Sequence, residues 1–137
     1  MAEISPGMGR KVVERSTPGG GGSGGVKSVS HLELAAPGIA DAAGDCVIAL
    51  GTVPSGADWF VERLSVETDS ILVSTFALYS NQIDELHRKT ATPAGNDDIE
   101  DASSPIWFAS GTQVIAVWAG ATPAANCFIN AQVRVES

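Results

Sequence analysis

Cysteine and histidine are scarce in this chain of 137 residues, with two of each, and their placement leaves little room for metal or redox chemistry. His31 and His87 fall in no HExxH spacing, and neither lies beside a cysteine pair, so the ligand set of a zinc site is missing. Cys46 and Cys127 sit in the strand-like phrases DCVIAL and NCFINA. There they read as small buried hydrophobes, with a bridge between two strands as the alternative. No apolar run approaches the roughly 18 residues of a membrane-crossing helix, and the first residues show no charged-then-apolar export signal. The expectation is a chain made in a cytoplasm with no membrane partner.

Positive charge is scarce too. Lys and Arg number 8 against 16 Asp and Glu, giving −8. A surface that acidic repels a phosphate backbone, so nucleic acid is not an expected partner. No Gly-x-Ser-x-Gly elbow occurs, and the one glycine-rich stretch lacks Gly-Lys-Ser/Thr and follows no strand. The adjacent acids Asp84/Glu85 and Asp97/Asp98 read as solvated loop residues rather than a pair across a glycosidic bond. Residues 96–101, NDDIED, offer oxygens that Ca²⁺ would accept but not in EF-hand order, so a solvated loop is the plainer reading. These omissions predict no enzyme, no cofactor and no metal.

What is present is organised around residues 18–25, PGGGGSGG. Nothing that forms a core can be built from them. As a random coil they span roughly 15 Å, which makes them a leash. Residues 1–17 before the leash carry Arg10, Lys11 and Arg15 against Glu3 and Glu14, with Ile4, Met8, Val12 and Val13 as scattered apolar residues. Such a segment cannot fold alone, and it reads as a tail or as an arm that orders on a partner. Residues 26–137 hold fourteen acids against five bases, −9, and enough residues for one modest core.

That last block consists of short alternating runs broken by Pro, Gly, Asn and Asp, the pattern of an all-β sandwich. The runs predict an edge strand over 26–34, a loop over 37–44, and strands over 46–50 and 59–68. In 59–68, Phe60, Leu64 and Val66 share one face and Trp59, Val61, Arg63 and Ser65 the other. A tight turn at Asp69-Ser70 would join that strand to 71–79 as a hairpin. Residues 82–89 fit a helical face or a strand from 85. A long acidic loop over 92–104 follows, then strands over 106–108 and 113–118, and a C-terminal strand alternating Cys127, Ile129, Ala131, Val133 and Val135 with polar residues. Seven or eight antiparallel strands make a two-sheet sandwich, jelly-roll-like, behind an extended arm. Seven large aromatic side chains exceed what alternation can turn inward, so Trp59, Trp107 and Trp118 are candidates for an exposed interface or for stacking on a sugar.

Residues 53–66, VPSGADWFVERLSV, and 104–123, SPIWFASGTQVIAVWAGATP, resemble the small β-sandwich virion proteins of tailed bacteriophages, particularly those of actinobacterial hosts. The likeness lies in turn placement and composition and extends over roughly 46–135. It implies a structural protein of the virion with no catalytic residue. A head decoration or minor capsid protein, often trimeric, would be held on the major capsid protein or another virion protein by an arm containing Ile4, Met8, Arg10, Lys11, Val12, Val13 and Arg15. The alternative implied is a tail or fibre module that contacts the host cell surface.

Overall fold

The computed structural model describes residues 28–100 and 104–137; the expected arm and leash lie outside them. Nine strands occur among the described residues, in chain order: β1 Val29–Ile39, β2 Cys46–Thr52, β3 Asp58–Thr68, β4 Thr75–Ser80, β5 Arg88–Thr92, β6 Asp97–Glu100, β7 Ile106–Phe108, β8 Gln113–Ala119 and β9 Asn126–Glu136. A single 3-10 turn, Glu85–His87, precedes β5, where Asp84 caps it by accepting from the His87 N–H at 3.0 Å.

Pairing is nested. β1 pairs with β9, β2 with β8, β3 with β6 and β7, and β4 with β5, all antiparallel. Rolling that ribbon brings β9 against β3 and β8 against β4 as well. The result is two sheets, β1-β9-β3-β6 with β7 also on β3, and β2-β8-β4-β5. This is a jelly roll, as the alternating pattern predicts. Between the sheets lie Trp118, Phe76, Phe108, Leu64, Leu78 and Ile129, all with less than 2% of their surface exposed. Phe76 and Trp118 meet edge to face with ring centroids 5.0 Å apart, and the Trp118 indole N–H donates to the Gly95 carbonyl at 3.0 Å.

Several boundaries differ from the sequence reading. β1 runs on through Pro37 and Gly38, where a loop was expected. It is the edge strand of its sheet, so a proline without an N–H is tolerated. Gly38 is required because a Cβ there would lie 2.7 Å from Cys46 Sγ and 2.9 Å from Ile48. β3 and β4 form no hairpin, because they belong to different sheets. Residues 69–74 instead cross between the sheets, fixed by Thr122, whose N–H donates to Ser70 Oγ at 2.8 Å and whose Oγ1 accepts from the Ile71 N–H at 3.0 Å. The expected loop over 92–104 contains β6.

Along β3 the predicted faces also change. A bulge opposite Gln132/Val133 inserts Glu62, so Trp59 and Val61 point inward, as do Leu64 and Val66 beyond it, while Phe60 turns out. Trp59 and Trp118 are therefore core residues and not exposed aromatics, which corrects two of the three tryptophans expected at a surface.

The packing at Gly95 generates a test. A Cβ on Gly95 would collide with Ser74 Oγ and come within 3.0 Å of Trp118 Cδ1 and 3.1 Å of Thr68 Cγ2. Gly95→Ala is expected to destabilise the fold by about 1–3 kcal/mol in urea unfolding; an unchanged midpoint would contradict this packing.

Candidate assembly surfaces

The two sheets use their outward positions differently. On the five-stranded sheet these positions are mostly polar and engaged with one another. Arg134 Nη1 meets Glu62 at 2.6 Å, Arg134 Nε meets Glu136 at 3.0 Å, and its guanidinium lies 4.7 Å from the Phe60 ring centroid. Asn130 donates to Glu33 at 2.8 Å. The cross-strand neighbour of Phe60 is Trp107, the one tryptophan of the sequence-derived set that does lie at the surface, half exposed. Its indole N–H donates to Asp58 at 3.1 Å, and Lys89 Nζ stands 5.7 Å from its ring centroid, reaching across the open edge between the sheets.

The outer face of the four-stranded sheet is built otherwise. Register places Val47, Val117, Ala77 and Ala91 in one row across β2, β8, β4 and β5, and Ala49, Ile115, Tyr79 and Arg88 in the next. Their strand neighbours Cys46, Ile48, Ala116, Trp118, Phe76 and Leu78 fill the core, so these rows point away from it. Arg88 is the single charge in the two rows; it sits on the edge strand, paired with Glu85 at 2.9 Å. Apolar residues continue past both ends of the face. Ile71, Leu72 and Val73 lead into β4, and Ile83 and Leu86 lie between β4 and β5, all at least half exposed. Sequence reasoning missed this surface because it looked for aromatic residues. The available signal was β-branched and alanine residues at the alternate positions where a solvated sheet carries polar ones.

A third feature is an open cleft of about 810 Å³ at one end of the five-stranded sheet, with Pro37, Ile39 and Phe128 as its apolar lining and Glu67, Asp69 and Asn96 as its polar one. Asp69 accepts from the Asn126 backbone N–H at 2.7 Å and from its side-chain amide at 2.9 Å, bonds that hold its carboxyl below the usual carboxylate range. The chain enters the sandwich at the opposite end, where Ser28 and Ser137 exchange backbone hydrogen bonds.

The sequence-expected arm residues, Ile4 to Arg15, fall outside the described residues, and so does part of the acidic loop. Among the described residues no three His, Cys, Asp or Glu side chains gather into a metal-binding group, and His87 instead bonds Asp84 at 2.6 Å. No helix there is long and apolar enough to cross a membrane.

No protein-family model matches the chain, and no curated protein does. Among solved structures it is similar to a protein of the disulfide-linked pili that form Bacillus endospore appendages, 16% identical over 86% of this chain and 96% of that one, with a TM-score of 0.43. It is also similar to a protein of the virus-like particle of the extra small virus of the giant freshwater prawn Macrobrachium rosenbergii. That pair is 12% identical over 98% of this chain and 96% of the other, with a TM-score of 0.41. Neither likeness bears on what this chain does.

The cysteines are free, buried and next to each other in space. Burial, with the neighbouring Cys127 adding to it, pushes the Cys46 thiol up to about 12. An unfolded thiol releases its proton near 8.5. Stability from this group is thus complete below the unfolded value and falls as pH rises from there towards 12. Urea midpoints should decline more steeply between pH 8 and pH 10 in the parent chain than in Cys46→Ala. Equal slopes would contradict a buried thiol at this position.

Proposed function

We propose that this chain is a structural subunit of a bacteriophage virion, a decoration or minor capsid protein held on its shell by residues 1–17. The observation that carries the reading is the outer face of the four-stranded sheet. On a block that carries −9, two rows of outward positions hold one edge charge and otherwise Val, Ala, Ile and Tyr. Leaving such a face in water forfeits the stabilisation of burying it, so it suits a chain that spends its life covered.

The arm fits the same role by its chemistry. Arg10, Lys11 and Arg15 meet acidic shell surface, Ile4, Met8, Val12 and Val13 supply small apolar anchors, and the glycine leash gives the reach to place the sandwich above the shell. In an oligomer several weak arms act together through effective concentration. The partner is the major capsid protein or another virion protein.

A second reading rests on the cleft. It lies at the end of the sandwich away from chain entry, where it would face outward from a shell, and the exposed Phe128 ring beside Asn96 and Glu67 suits a sugar. Retention on host cell-wall fragments that disappears with Phe128→Asp would favour a host-binding module.

The leading reading is tested by co-sedimentation with shells lacking this protein. The parent chain should pellet with the shells, and a chain with Arg10, Lys11 and Arg15 all changed to Glu should stay in the supernatant. Pelleting by both forms alike would remove the arm from the mechanism, and pelleting by neither would remove the head assignment.

A further inference from the structure

The assembly reading leaves open what covers the four-stranded sheet. We infer that its outer face is the surface through which copies of this chain meet one another. The inference rests on that reading but names a different occupant from the shell.

Charge is the first argument. Two copies whose folded blocks each carry −9 repel wherever acids face acids. The one carboxylate at the edge of the two central rows is that of Glu85, which Arg88 already pairs, so this face lets copies approach without placing an unpaired acid in the contact. A foreign partner selected by charge would find nothing here to pair with except Arg88, which Glu85 already neutralises. A partner that is flat, apolar and uncharged is needed, and another copy of the same sheet is such a partner.

Shape and area agree. Val47, Ala49, Ala77, Ala91 and Val117 are short side chains, which lets two sheets approach to the roughly 10 Å of a sandwich interior. Four strands at about 4.8 Å spacing, each about six residues at about 3.3 Å, give a patch of roughly 400 Å². A stable interface needs about 800 Å² on each side. The exposed apolar residues that flank β4 in the chain, Ile71–Val73 and Ile83 with Leu86, are the ones that would have to supply the remainder.

Sedimentation equilibrium of the full chain between about 1 and 100 µM tests this without shells. The parent chain should show a mass above that of one chain, rising with concentration. Val117→Asp, at the centre of the face, should weaken association at least tenfold. Val47→Asp, on a more exposed edge position that cannot disturb the core, should do the same and serves if Val117→Asp does not fold. Phe128→Asp, on the other sheet, should leave the mass unchanged. A parent chain that is monomeric throughout would overturn the inference. So would folded Val47→Asp with unaltered association, or Phe128→Asp dissociating the assembly as strongly. Shell pelleting reads the arm separately, so either result can fail while the other stands.

Discussion

Successive side chains on a strand must point to opposite faces, and most of this molecule follows from that constraint. Each residue that enters the core commits its neighbour to an outer surface. With only two layers, a jelly roll cannot hide both. Ile129, Ala131 and Val133 of β9 go inward, so Phe128, Asn130, Gln132 and Arg134 must be accommodated outside. On the five-stranded sheet this is done with ion pairs and hydrogen bonds that water also satisfies. On the four-stranded sheet the outside positions repeat the chemistry of the inside, and the sheet reads as buried on both faces although the described residues supply only one covering layer.

The same constraint explains how much of the fold was legible. β9 was visible in full because its alternation is unbroken from Cys127 to Val135. β3 was visible as a strand but its faces were not, since the inserted Glu62 changes which alternate residues turn inward, and a bulge leaves no mark in composition. Pro37 and Gly38 looked like a loop because both residues usually end strands. Here one is tolerated at a sheet edge, and the other is demanded by Cys46 and Ile48 beneath it. The apparent hairpin at Asp69-Ser70 failed for a long-range reason, since Thr122, some fifty residues away, fixes the crossover.

The candidate surfaces were less legible than the fold. Large aromatic residues drew attention, yet Trp59 and Trp118 are core and only Trp107 is at the surface, engaged by Asp58 and Lys89. The more informative residues were small ones. Val47, Ala49, Ala77, Ala91 and Val117 attract no notice singly, and they become a surface only when register sets them side by side across four strands that are separated in sequence. Such a face is a property of pairing, which no local window of sequence displays.

The described residues form a closed sandwich with an apolar face that favours being covered. The central claim is that the outer face of the four-stranded sheet is buried in the working state. Tyr79, the only tyrosine in the chain, lies on that face and reports on it directly. Its nitration by tetranitromethane should be slow in concentrated, associated protein and become fast when the protein is diluted to single chains. Equally fast nitration at all concentrations would mean that the face stays open to water, and the account would be contradicted.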